Sequence, residues 1–282
     1  MSPYLAHMRP RSIPVTFVMA ATGWCMSPRH ERGWQDGLWL LLVHSVLLWG
    51  GTNAFNTAND GPEGPLNLLP DPPPIPPHLG AFGLGLMALA VPLSLTRGWT
   101  CGALALAGAL LSIFYSWRGG PWRRGKDIPG LDNLINAAGF GLGSFGLGWC
   151  ATGEPITGTA LALGVGFTIC LFGGMPTAQI FQLQHEGPRA NATTWAGWLG
   201  PRRALQLGAG LFLLHLGWMW AWVPRGEGWR AAAQILWATG VLVGAVHSLS
   251  WSRRPLERAY ARMIRQMSLL TAAQLALALS LA

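Results

Sequence analysis

The chain has 282 residues, 51% of them hydrophobic and only 11% charged, with a net charge of +8. A water-soluble domain carries roughly 25% charged residues, so the composition excludes a soluble globular enzyme and leaves a surface that faces lipid. Lysine and arginine sit between apolar runs rather than along one basic face, which argues against nucleic acid and for membrane topology and anionic headgroups.

Apolar runs of roughly 17–25 residues recur along the whole length, the pattern of a polytopic helical membrane protein. The fold class expected is all-α, with nine transmembrane helices over 13–27, 36–57, 79–96, 99–117, 131–151, 156–181, 203–223, 229–249 and 263–281. The first run is short and carries Pro14. No charged leader followed by a short apolar stretch and a small-residue cleavage site is present, so no signal peptide is read. A single transmembrane domain is expected over 1–282.

With nine crossings, the cations divide unevenly between the two sides. One side takes Arg9 and Arg11, then Arg118, Arg123, Arg124 and Lys126, then Arg189, Arg202 and Arg203, then Arg253, Arg254, Arg258, Arg262 and Arg265. The other takes Arg29, Arg32, Arg97, Arg225 and Arg230. Positive residues stay inside, so the N-terminus and the rich loops are expected in the cytoplasm and the C-terminus outside. Cys25, Cys101, Cys150 and Cys170 lie in or at the ends of apolar runs without metal-ligand spacing, and read as small membrane residues. Trp34, Trp99, Trp117, Trp122, Trp195, Trp229 and Trp251 fall near run ends, as an interfacial belt would place them.

The second run closes on Asn56-Thr57-Ala58-Asn59-Asp60, followed by Gly61-Pro62-Glu63. Asn56 and Asp60 are four apart and share a helix face, and Gly61-Pro62 must end that helix. Oxygen ligands gathered in this way suit Mg²⁺, which completes its shell with water and phosphate; a solvated helix end is the plain alternative. Pro70 to Pro77 cannot be helical and is expected to form a stiff polyproline strap that braces a loop. After the fourth run, Tyr115 and Ser116 lead into Arg118, Arg123, Arg124 and Lys126. These cations could clamp a diphosphate or anchor the chain to anionic lipid. Gln182 and Glu186 repeat the spacing of four after the sixth run, with Arg189 and Asn191 beyond and His185 on another face. Three polar clusters on one side of an apolar bundle form the layout of a metal-diphosphate site at a membrane surface.

These residues resemble the UbiA superfamily of intramembrane prenyltransferases over nearly the full chain. Asn56 to Asp60 fit the opening of its first Asp-rich motif, while Tyr115-Ser116, Lys126 and Pro129-Gly130 fit its middle loop. Gln182 to Thr193, with Leu199 to Ala204, fit the second motif and the segment after it. The resemblance implies Mg²⁺ held by both motifs and an isoprenoid diphosphate ionised to an allylic cation, with a lipophilic acceptor (aromatic, quinone or tetrapyrrole-type) attacking it. It assigns Asn56, Asp60, Glu63, Gln182 and Glu186 to the metal, and Lys126, Arg123 and Arg189 to the diphosphate. Asp60, Glu186 and Tyr115 would be the catalytic residues, Tyr115 lining the cavity. Gly64 stands where the family places its next carboxylate, and Gln182 and Asn191 where it places others. A weakened Mg²⁺ site is therefore expected. A catalytically inactive relative, serving as a structural or pigment/quinone-binding subunit of a larger membrane complex, is the alternative.

Overall fold

A segment that is apolar on most faces, in a solvent that cannot satisfy backbone N–H and C=O groups, has the helix as its available structure. The computed structural model describes residues 2–28, 33–61, 71–121, 123–128, 130–186 and 194–281, the side chains of 184–186 excepted. Among these residues the chain is helical, with turns and no strand. The helices are α1 (Pro3–His7), α2 (Ile13–Met26), α3 (Trp34–Asp60), α4 (Leu79–Leu95), α5 (Trp99–Ser116), α6 (Leu131–Ala138), α7 (Ser144–Cys150), α8 (Gly158–Glu186), α9 (Trp195–Leu199), α10 (Pro201–Trp222), α11 (Trp229–Trp251) and α12 (Ala259–Leu281). Six of them, α3, α5, α8, α10, α11 and α12, are long and apolar enough to cross a membrane, and α4 is a shorter apolar helix. The protein is an integral membrane protein. Leu110, Leu214, Ile235, Leu236 and Val246 are exposed on these helices, where lipid takes the place of water.

The chain divides into two compact units. Unit 1 holds Met1–Ile128 and Gly143–Ile156. Helix α3 starts where the Asp36 carboxylate accepts from Gly33 N at 3.3 Å. It ends at Asp60 because Gly61 takes φ +87°, open to glycine at little cost. Within it, Leu40–Trp49 is a π-helical stretch, and π-turns recur at polar, functional positions. Here the stretch sets buried His44 and Trp49 against Ser144 of α7, with His44 Nε2 3.0 Å from Ser144 Oγ and Trp49 Nε1 2.7 Å from His44 Nε2. Association in lipid relies on close backbone approach at small residues. Gly51 of α3 meets Gly83 of α4, where an added Cβ on Gly83 would lie 2.6 Å from the Gly51 carbonyl oxygen.

Residues 71–77 run without helix, as expected for the proline strap. Tyr4 Oη donates to Pro77 O at 2.6 Å, His7 Nε2 lies 3.1 Å from Pro73 O, and Ile75 packs on the cluster of Met8, Ala54 and Leu79. The strap therefore braces α1 against the end of α3.

Unit 2 holds Pro129–Leu142 and Thr157–Ala282. Its packing repeats the small-residue device, Gly173 of α8 against Gly208 of α10. Pro201 sits in the first turn of α10, where its missing N–H costs nothing. All four cysteines are buried. Trp34, Trp99 and Trp229 open their helices exposed, in keeping with an interfacial belt. Trp251 differs from that expectation. It is only 1% exposed, and its Nε1 donates to Pro255 O at 2.8 Å, because the turn after α11 folds back over the ring.

Candidate functional site

In unit 1 the polar end of α3 is dressed from three directions. The side-chain oxygen of Asn56 accepts from Ser116 Oγ at 3.0 Å, which ties α3 to the end of α5. Asn59 accepts from the Arg118 backbone N–H at 3.2 Å and so fixes the start of the loop after α5. That loop closes in a tight turn over Gly125–Asp127, and the turn aims two cations at one carboxylate oxygen. Lys126 Nζ lies 2.5 Å from Asp60 Oδ1, and Arg124 Nη1 lies 3.2 Å from the same atom. Arg124 is itself held by a fork on Asp127, with Nε to Oδ2 at 2.7 Å and Nη2 to Oδ1 at 3.0 Å. Burial alone would draw the Arg124 pKa down, but the pairing with Asp127 and the charge of Asp60 outweigh it and hold the pKa above its ordinary value. Arg118 adds a bond from Nη2 to the Asp60 backbone oxygen at 3.1 Å.

The third direction is the N-terminal loop. Asn53, seven residues before Asp60, donates to Met8 O at 3.2 Å and to Ser12 Oγ at 3.3 Å. Ser12 in turn donates to Arg9 O at 2.7 Å and closes a turn in which Arg9 takes φ +55°. The loop is thereby pinned to α3 with Arg9 beside Thr57, to which Nη2 donates at 3.4 Å. Arg9 Nε is buried without a partner. Burial lowers the Arg9 pKa from its ordinary value, against the opposite pull of Asp60 and Tyr115.

The sequence-predicted residues thus fall into distinct groups. Asn56, Asp60, Tyr115 and Lys126 gather in unit 1. Arg123 is exposed on the loop, and it is Arg124 that reaches Asp60. Gln182 lies half-buried on α8 in unit 2, and Glu186 ends that helix with its side chain outside the described set. Glu63 and Arg189, with Gly64 and Asn191, lie outside the described residues. Arg9 and Asn53 were not expected. Their only sequence signal is a polar residue on the Asn56/Asp60 side of a helix and a cation ahead of the first apolar run.

One turn before Gln182, in unit 2, Gln179 carries a second buried network. Its Nε2 donates to Asp132 Oδ2 at 3.1 Å and to the Asn133 side-chain oxygen, and its Oε1 accepts from Ala196 N at 3.2 Å. Asn136 Nδ2 donates to Asp132 Oδ1 at 3.1 Å. The second motif therefore stands on a joint between α6, α8 and the start of α9.

Mg²⁺ takes carboxylate oxygens in near-octahedral order. Among the described residues no group of three or more His, Cys, Asp or Glu side chains comes together. The Asp60 oxygen already accepts from two cations, and the Asn56 oxygen is taken up by Ser116. The described donors do not fit Mg²⁺. They fit an anion.

A sequence profile of the UbiA prenyltransferase family matches residues 15–270. No curated protein sequence matches the chain. Among solved structures, a UbiA homologue from Archaeoglobus fulgidus superposes with a TM-score of 0.72 at 16% identity, covering 99% of both chains. The same homologue bound to DMAPP and Mg²⁺ gives 0.68 at 15% identity, over 98% of this chain and 99% of that one. A structure concerned with digeranylgeranylglyceryl phosphate synthase gives 0.67 at 15% identity, over 99% and 97%. At such identities the likeness is one of fold.

Proposed function

The chain belongs to the UbiA prenyltransferase family, and from that membership we propose that it transfers a prenyl group from an isoprenoid diphosphate to a lipophilic acceptor, of the aromatic, quinone or tetrapyrrole class. The observation that carries this reading is the convergence of Lys126, Arg124 and Arg9 on the polar end of a membrane-crossing helix. Fixed cations there neutralise the diphosphate, and neutralisation lowers the barrier to breaking the bond from prenyl carbon to oxygen. The electron pair stays with the departing pyrophosphate. The allylic cation is kept from water by apolar helix walls, and an electron pair of the acceptor closes the new bond as the acceptor loses a proton. Tyr115, beside Arg9, is assigned to the wall near the reacting carbon.

The Archaeoglobus homologue has been solved with DMAPP and Mg²⁺ and with GPP and Mg²⁺, and a bound Mg²⁺ would supply further charge to the leaving group. In unit 1 a metal would draw on Asn56 and Asp60, whose oxygens already accept from Ser116 and from two cations, and no step is routed through it. The reading also carries one domain over 1–282, with nine crossings. The N-terminus and the loops holding the clusters are cytoplasmic, and the C-terminus is outside.

The test is incorporation of radiolabel from prenyl diphosphates of several chain lengths into extracted lipid acceptors by the purified protein. Label should appear in the lipid fraction, and Lys126→Ala should lower the rate about 100-fold, the scale of one leaving-group contact. The pairing of Asp60 with two cations also favours the second reading, a catalytically inactive relative acting as a subunit, since a satisfied ion pair is a structural element in its own right. No incorporation at any chain length, with copurification of a stoichiometric partner, would decide for that reading.

A further inference from the structure

Mg²⁺ is held by one or two protein carboxylates together with water and substrate phosphate, and each fixed positive charge nearby opposes a +2 ion, so the local balance of carboxylates against cations bears on which ion the protein itself attracts. At the end of α3 the cations are in excess. Arg9, Arg118, Arg124 and Lys126 meet Asp60 and Asp127 among the described residues, a net positive cluster. Arg124 is already fixed by its fork on Asp127, so its Nη1 is presented rather than free to wander. Asp60 offers a single oxygen to both Lys126 and Arg124. Arg9 holds a buried Nε–H with no acceptor, in a loop that Asn53 and Ser12 pin in place. An unpaired donor in such surroundings is costly, and the chemistry that would satisfy it is an oxyanion.

We propose that this site binds the diphosphate with fixed cations in place of a divalent metal, Asp60 being the internal anion that the diphosphate displaces. The inference rests on the prenyl-diphosphate reading above and deepens it. Diphosphate oxygens replace the Asp60 carboxylate on Lys126 and on Arg124 Nη1, and give Arg9 Nε its acceptor. One anion leaves the cations and another takes its place, so the cluster is never left with an uncompensated charge. When the carbon–oxygen bond breaks, the added negative charge on the departing pyrophosphate falls on the same three side chains.

This assignment reverses the sign of one substitution. At a metal site, Asp60→Asn removes a ligand and abolishes diphosphate binding. At a cation site it removes a competitor, and binding holds or tightens. The experiment is binding of geranyl diphosphate to the purified full-length protein in detergent, with excess EDTA or with Mg²⁺. Equal affinity in EDTA is expected within about threefold, Asp60→Asn should bind as well or better, and Lys126→Ala and Arg9→Ala should each weaken binding about tenfold, one charge-assisted hydrogen bond. Binding that requires Mg²⁺ and is lost in Asp60→Asn overturns the inference and leaves the prenyl-diphosphate reading standing. Absence of binding under both conditions overturns both. Should Asp60→Asn fail to fold, as judged by its elution and thermal transition, the wild-type comparison in EDTA decides alone.

Discussion

Asn53 shows how much one amide can organise. It joins α3 to Met8 and Ser12, and through Ser12 it fixes the turn that presents Arg9. Asn53→Ala removes two hydrogen bonds at a partly buried position, a loss of about 1–2 kcal/mol. The N-terminal loop should then come away from α3, so tryptic cleavage after Arg11 accelerates while the thermal midpoint of the protein drops only slightly. Unchanged cleavage at Arg11 would show that the loop is held by other contacts. Asn56 and Asp60 were singled out by their spacing of four, Lys126 by a local run of cations, and Tyr115 through the family resemblance. Arg9 and Asn53 were not, since their meaning lies in a contact across more than 40 residues of sequence. The choice between Arg123 and Arg124 was equally hidden. It depends on the turn at Gly125–Asp127, which points one arginine at Asp60 and leaves its neighbour in solvent.

At the scale of the element, the position of Asp60 depends on how α3 lies against α4. Gly51 and Gly83 let the two backbones meet, and a methyl group on Gly83 would come within 2.6 Å of the Gly51 carbonyl oxygen and 2.7 Å of Phe55 N. Both obstacles are backbone, so the helices must part. Gly83→Ala should cost about 1–3 kcal/mol, read as a lower thermal midpoint in detergent. Gly85→Ala, two residues on and facing open space, should leave the midpoint where it is. Equal midpoints for the two variants would mean that the approach carries no energy. The extent of the helices was largely written in hydropathy, because lipid forces an apolar segment to be helical. The ends were less so. Helix α8 runs to Glu186, past the apolar run that ends at 181, and Gln179 within that run bonds to Asp132 and Asn133. No periodicity announces such a partner on α6. Trp251 misled for a related reason: a tryptophan at a helix end looks interfacial until the following turn is seen to cover it.

For the whole molecule, the distribution of arginine is a stronger statement than any single span. Six helices are long and apolar enough to cross on their own evidence. The nine-crossing topology asks the shorter α2 and α4 and the α6–α7 region to cross as well. One crossing fewer would put the C-terminal cations on the wrong side, so parity can be tested directly. The four native cysteines are buried and should stay silent toward a membrane-impermeant maleimide in intact cells. Arg123, Arg225 and Arg253 are exposed, and cysteine at each reports a different connection. Nine crossings with a cytoplasmic N-terminus require Arg225→Cys to label from outside, while Arg123→Cys and Arg253→Cys label only after the membrane is opened. Labelling of Arg253→Cys from outside would break the parity after α10, and labelling of Arg123→Cys would place the cations that grip Asp60 on the outer face. A cytosolic isoprenoid diphosphate could not reach them there, so this measurement bears on the proposed substrate as directly as on the fold.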